Sequence, residues 1–351
     1  MERKEKIIIG LCLVATAAAG ILHYAHANAV IAFLVTAVAL ALLALIVGDA
    51  TEQLGSRLGP GATGVLQSSL GNLPELFVCI FALKAGLVGL VQAALIGSIL
   101  GNALLVFGLA LFLGGLKNGT QTFRSEPPKM IATLMILAVA ALMIPTLAKE
   151  LHTPAEAHVN TLDVVSAIVL LILLAANVYF SVKGDPSVVT QSKDAGGPEW
   201  SMGLAIGVLA VAGIGAAFVS DWFVAALEPV MTKFGLSEAF TGLVVVAIVG
   251  NSIENIVGIQ FAWRNQADYA ISIMLNSSLQ IALGLIPILV LLSFVLGGPI
   301  LTLVLPPLLV AALALAAIVN AFVVYDGESI WLEGLALIGL YCIIAASLWW
   351  G

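Results

Sequence analysis

Long apolar runs separated by short polar connections set the pattern of this chain. One begins at Ile7, and others follow near residues 29–48, 61–83, 87–113, 129–148 and 161–182. After a polar stretch they resume near 201–220, 236–262, 268–294, 300–323 and 330–350. At 1.5 Å per residue each is long enough to cross about 30 Å of hydrocarbon as a helix. Eleven such runs predict an all-α polytopic membrane protein.

Composition agrees and excludes other classes. The chain has 351 residues, 61% hydrophobic and 9% charged, whereas soluble domains carry about 25% charged residues. So few charges do not cover a globule of this size. The net charge of −7 supplies no basic field, so nucleic acid is not an expected partner. Cys12, Cys79 and Cys342 lie far apart inside apolar runs, in neither a disulfide nor a zinc spacing. They read as packing residues, and no cofactor is implied.

Charge placement gives the orientation. The N-terminus and every second connection hold Arg3, Lys4, Lys6, Arg57, Lys117, Arg124, Lys129, Lys183, Lys193 and Arg264, against Lys84, Lys149 and Lys233 on the other side. The positive-inside rule then places the N-terminus in the cytoplasm and the C-terminus outside. The expected location is the plasma (inner) membrane of a prokaryote. Ala25-His26-Ala27 resembles a signal-peptidase site, though a retained first helix is the expectation. The polar stretch contains Gly184-Asp185-Pro186 and Gly196-Gly197-Pro198, which break helices. The chain therefore divides into an N-terminal helix (1–28), a five-helix repeat (29–182), a cytoplasmic linker (183–200) and a second five-helix repeat (201–351). With an odd number of spans in each half, equivalent helices enter the membrane from opposite faces: a 1 + (5 + 5) plan with inverted-topology repeats.

Two polar words interrupt the apolar runs. Gly71-Asn72-Leu73-Pro74-Glu75 lies in the run 61–83, and Gly250-Asn251-Ser252-Ile253-Glu254 in the run 236–262. One gap-free shift of 179 carries Gly71, Asn72 and Glu75 onto Gly250, Asn251 and Glu254, and Ser98 onto Ser277. A carboxylate near the centre of a span is costly and marks an ion or proton path. Two, in matching words in opposite halves, predict one shared site. Asn72 and Glu75 share a helix face, as do Asn251 and Glu254. Gly71, Gly250 and Pro74 weaken the helix locally, and Pro74 removes an N–H and leaves a carbonyl free to face an ion. Two carboxylates with amide and carbonyl oxygens form a hard oxygen site suited to Ca²⁺. Ser98 and Asn102 share a face of the next span, and Asn276, Ser277 and Gln280 offer oxygen in the other half. For these, ion ligand and interhelical glue are both open.

At these residues the chain resembles the calcium/proton exchangers (CAX family) of the calcium/cation antiporter superfamily. Gly-Asn-Leu-Pro-Glu-Leu from Gly71, followed by Gly97-Ser98-Ile99-Leu100-Gly101-Asn102, resembles that family's first signature. Gly250-Asn251-x-x-Glu254, followed by Ser277-Ser278-Leu279-Gln280, resembles its second. Ala50-Thr51-Glu52 and the stretch from Tyr325 to Gly334 are similar as well. Pro74, Ser252-Ile253 and Asn255 depart from the usual residues. The resemblance implies a secondary-active antiporter, not an enzyme, exchanging Ca²⁺ for H⁺ by alternating access. Glu75 and Glu254 would bind the cation and exchange the protons, and Asn72, Asn251, Ser98, Asn102 and Ser277 would line the site. Protonation and cation binding are two ways of neutralising the same pair, and their competition becomes exchange.

The nearest alternative is a sodium/calcium exchanger on the same fold; the absence of a third carboxylate near the repeat favours protons. A cation channel is the more distant one. Glu52, Asp221 and Glu228, near the predicted membrane edges, are candidates for acidic access funnels or ordinary boundary charges. Asp163 reads as a boundary charge. The expected partners are Ca²⁺, H⁺ and the bilayer, and a homo-oligomer is left open.

Overall fold

The computed structural model describes residues 3–58, 70–183 and 200–349; for residues 3, 4, 56, 58, 182, 183, 253 and 254 it describes the backbone alone. In a bilayer each backbone N–H and C=O must find its partner inside the chain, and the described residues are accordingly helical almost throughout. The helices are α1 (Arg3–Tyr24), α2 (Ala29–Leu58), α3 (Leu73–Lys84), α4 (Val88–Asn118), α5 (Glu126–Glu150), α6 (Val159–Lys183), α7 (Met202–Phe234), α8 (Glu238–Gly250), α9 (Ser252–Trp263), α10 (Ala267–Ser293), α11 (Pro307–Val323) and α12 (Trp331–Ser347). A short antiparallel ladder pairs β1 (Gln121–Thr122) with β2 (Glu328–Ser329).

Local chemistry sets several boundaries. The Ser201 hydroxyl accepts from the Leu204 N–H and starts α7, which ends at Gly235 in a left-handed cap with φ 64°. The Glu238 carboxylate accepts from the Leu90 N–H at 3.0 Å and covers the start of α4. Helices α4 and α10 form the buried centre, while α1 and α6 turn Leu13, Val14, Val165 and Ile172 outward. Helices α2 and α7 pack together along their length, with α1 against both.

Seven helices among the described residues are long and apolar enough to cross a membrane, and the pair α8–α9, bent by 65°, makes an eighth. The eleven read from the sequence are not all found by that measure. Helix α3 has twelve residues, because its run is broken at Asn72 and the stretch 59–69 lies outside the described residues. Helices α11 and α12 have 17 residues each. Residues 300–306 are non-helical, with a bend at Leu303, so the first of these runs loses its opening residues, while α12 takes up its run only from Trp331 to Ser347. Of the linker 183–200, residues 184–199 also lie outside the described residues.

The internal repeat recurs in the elements. Helix α3 begins at 73 and α9 at 252; they end at 84 and 263, each pair 179 apart. In α4 a π-helical segment occupies Gly101–Val106, and in α10 one occupies Ile281–Leu285. Helix α8 carries a third at Thr241–Val246. A π turn adds a residue and frees a carbonyl, and such turns gather at functional sites. Here the Leu243 carbonyl accepts from the Tyr341 hydroxyl at 3.3 Å.

Candidate functional site

Two helix breaks face the buried centre. Asn72 has φ −92° and ψ 16°, and Asn251 has φ −105° and ψ 15°. This is the sparsely populated bridge region between helix and strand, reached after a glycine at both positions. Each asparagine carbonyl accepts the first bond of the helix that follows: from the Leu76 N–H at 2.9 Å and from the Asn255 N–H at 3.1 Å. Pro74 sits in the first turn of α3, where its missing N–H costs no helix bond. Glu75 lies in the same turn, where the helix dipole favours a negative side chain.

Side chains from both halves meet in one hydrogen-bond chain. The Ser98 hydroxyl donates to Oε1 of Glu75. Nδ2 of Asn251 donates to Oγ of Ser98 at 2.9 Å and to the Ala247 carbonyl at 3.0 Å. Nδ2 of Asn102 donates to Oγ of Ser277 at 2.8 Å and, longer, to Oδ1 of Asn251 at 3.4 Å. All five are buried, with exposures of 1–4%. Donors therefore run in one direction, from Asn102 through Asn251 and Ser98 to the carboxylate of Glu75. Three residues of the first half (Glu75, Ser98, Asn102) are thereby bonded to two of the second (Asn251, Ser277), with the Ser98–Glu75 bond lying within the first half.

Not every residue singled out by the sequence joins this chain. Asn72 and Gln280 are half-buried and take no part in these bonds. The Glu254 side chain lies outside the described residues; its backbone occupies the first turn of α9, as Glu75 occupies that of α3. Glu52, on the end of α2, and Asp221 and Glu228, on α7, are exposed and stand apart from the centre. Other features carried no sequence signal. A small cavity beside Glu75 is lined by Leu40, Pro74, Val78, Phe223, Val246 and Gly250 among others; apolar residues in an apolar chain do not stand out. Asp163 is buried rather than a boundary charge. Among the described residues no group of three or more His, Cys, Asp or Glu gathers, and the described side chains bonded in the chain to Glu75 are hydroxyls and amides.

A model of the sodium/calcium exchanger protein family matches residues 28–183 and 204–350. A Ca²⁺/H⁺ antiporter of Aphanothece halophytica is 33% identical over 372 positions, covering 99% of this chain and 97% of the relative. The Ca²⁺/H⁺ antiporter ChaA of Bacillus subtilis is 37% identical over 330 positions, covering 91% of this chain and 92% of its own. The solved structure of native YfkE superposes with a TM-score of 0.82 at 33% identity, over 97% of this chain and 99% of that one.

Proposed function

The chain belongs to the sodium/calcium exchanger protein family, among its Ca²⁺/H⁺ antiporters, and we propose that it exchanges the two ions at one site built around Glu75 and Glu254. It is a secondary-active transporter and not an enzyme. The observation that carries the site is the buried chain from Asn102 to Glu75, in which side chains of the two halves are bonded to each other.

Glu75 and Glu254 hold either protons or the cation. Ser98, Asn102, Asn251 and Ser277 supply neutral oxygens, with Asn72 and Gln280 at the edge. Hydrogen bonding and cation binding compete for the same atoms. Oγ of Ser98 accepts from Asn251 while donating to Glu75, and Oδ1 of Asn251 accepts from Asn102. A Ca²⁺ ion, which takes six to eight oxygens in forgiving geometry, gains those oxygens as the amide donors turn away. Protons restore the chain. Alternating access about the repeat interface then converts the competition into exchange.

The finer architecture is part of the same reading: eleven crossings, arranged 1 + (5 + 5), with the repeats inverted. The bent pair α8–α9 supports it, as do the 17-residue helices α11 and α12, about 25 Å long. So does a run 61–83 that ends in α3. The family match in two segments, 28–183 and 204–350, divides the chain as the halves do. The excess of Lys and Arg on one side supports a cytoplasmic N-terminus in a prokaryotic plasma membrane.

Transport in everted vesicles tests the site. Glu75→Gln should abolish pH-driven Ca²⁺ uptake, and undiminished uptake would overturn the assignment. Imposing a sodium gradient instead of a pH gradient separates this reading from sodium/calcium exchange.

A further inference from the structure

Helix α8 approaches the site through its π segment, Thr241–Val246. The Ala247 N–H there reaches back to the Gly242 carbonyl, whereas a regular α-helix would give it to the Leu243 carbonyl. Leu243 accepts instead from the Tyr341 hydroxyl of α12, at 3.3 Å. Both residues are buried, Leu243 at 0% and Tyr341 at 4% exposure. The buried residues of α12 are Gly334, Leu337, Tyr341 and Ile344, so Tyr341 brings the one polar side chain to an otherwise apolar face. Away from water, a carbonyl without a donor and a hydroxyl without an acceptor are each costly. The Tyr341 hydroxyl therefore stands in for the Ala247 N–H. It compensates a π register, where an α register would need no such help.

The register matters because the two ends of α8 are tied to different partners. At the start, the Glu238 carboxylate accepts from the Leu90 N–H. The Ser237 hydroxyl accepts from the Phe240 N–H at 3.0 Å and donates to the Leu348 carbonyl at 2.7 Å. The Phe240 ring meets Trp349 edge to face, with centroids 4.5 Å apart. At the other end, the Ala247 carbonyl accepts from Nδ2 of Asn251, which also donates to Ser98, and Gly250 rests against Glu75. Between the ends, a Cβ on Gly97 or on Gly242 would strike the backbone of the opposite helix, α8 or α4. Gly97 immediately precedes Ser98, so the π turn is seated one residue from the site.

A π turn holds one residue more than an α turn. Its relaxation would turn the segment beyond it by about 100° and move it about 1.5 Å along the axis. With the start of α8 held, that movement falls on Ala247, Gly250 and Asn251. It carries the Asn251 amide away from Ser98 and so takes apart the chain that ends on Glu75.

We propose that Tyr341 is a positioning residue of the exchange site: its hydroxyl holds α8 in the π register that brings Asn251 to Ser98. This rests on the reading of the buried chain around Glu75 as the site for Ca²⁺. Tyr341 itself touches neither ion. It acts through the Leu243 carbonyl.

Equilibrium ⁴⁵Ca²⁺ binding and thermal unfolding in detergent test it. Tyr341→Phe keeps the ring and removes the donor; it should fold and bind Ca²⁺ about fivefold more weakly. In an Asn251→Ala background the same change should alter affinity by less than about twofold, because the contact it serves is already gone. Tyr341→p-aminophenylalanine, which carries a weaker N–H donor on the same ring, should fall between parent and Phe. Parental affinity in folded Tyr341→Phe overturns the proposal, as does an equal fold-loss in both backgrounds. Either result marks Tyr341 as a packing residue, whose loss lowers the unfolding temperature alone. Should Tyr341→Phe not fold, the p-aminophenylalanine variant decides: weakened binding that disappears in the Asn251→Ala background supports the proposal, and parental affinity overturns it. Glu75→Gln is read separately, and its retention of Ca²⁺ binding defeats the exchange-site reading rather than the link from Tyr341 to Asn251.

Discussion

A methyl group placed on Gly250 would lie 3.7 Å from both Cβ and Cγ of Glu75. The glycine of one break therefore rests against the carboxylate side chain of the other, so the two repeats meet at their broken helices. At 3.7 Å an added methyl makes ordinary contact. Gly250→Ala should fold with stability within about 1 kcal/mol of the parent, since alanine is also the better helix former by that amount. Gly250→Leu fills the cavity beside Glu75 and should reduce Ca²⁺ uptake by more than tenfold. Thermal unfolding in detergent and ⁴⁵Ca²⁺ uptake check the pair; equal uptake by both variants argues against a path along this face.

The contact between α4 and α8 allows no such tolerance. A Cβ on Gly97 would stand 2.4 Å from Cα and 2.5 Å from O of Leu243, and one on Gly242 2.5 Å from the Leu90 carbonyl oxygen. Those atoms are backbone, so the helices themselves must part. Gly97→Ala should cost about 1–3 kcal/mol through overpacking and should also disturb the adjacent Ser98. Gly101→Ala, with nothing within 4 Å, is the matched control and should unfold at the parent temperature.

These glycines show what the sequence made legible. Apolar runs gave the membrane class, and the gap-free match of Gly71-Asn72 and Glu75 with Gly250-Asn251 and Glu254 anticipated two helix breaks that recur at the same offset in α3 and α9. Lengths were less legible, because apolar residues fill non-helical backbone at 301–305 as readily as helix. Burial of polar side chains was least legible. Asp163 read as a boundary charge because its position on the inward face of α6 depends on how that helix is rotated against α10, a tertiary fact. Likewise, Gln92 and Thr146 give no sign in sequence that they bond a non-helical segment about 150–210 residues away.

The chain from Asn102 to Glu75 predicts coupling between its members. Ser98→Ala removes a donor to Glu75 and the acceptor of the Asn251 amide, and a buried group left without its partner costs about 1–3 kcal/mol. Each of Ser98→Ala and Asn251→Ala should weaken Ca²⁺ binding by about tenfold. The double variant should lose less than the sum, with a coupling energy above about 0.5 kcal/mol. Strict additivity in equilibrium ⁴⁵Ca²⁺ binding would show that the two side chains act independently.

Trp200, the first described residue after the stretch 184–199, predicts how the second half is tied to the first. Its side chain is 2% exposed and packs with Ala50, Leu54 and Ala205. Its indole Nε1–H donates to both carboxylate oxygens of Glu5 on α1, at 3.2 and 3.1 Å. Its backbone N–H donates to the Gln53 side chain at 3.2 Å, and its carbonyl accepts from Arg57. One residue thereby joins α1 and α2 immediately before α7 begins. Trp200→Phe keeps an aromatic ring but removes the bond to a charged acceptor, a loss of about 1.5–3 kcal/mol. Trp200→Ala adds the loss of packing, about 3–5 kcal/mol for a large buried aromatic. The stability order should therefore be parent, Phe, Ala. Because α2 and α7 pack along their length, weakening this junction should also raise protease cleavage between 184 and 199. If Trp200→Phe unfolds with the parent while Trp200→Ala does not, apolar packing alone holds the junction and the Glu5 bond contributes nothing measurable.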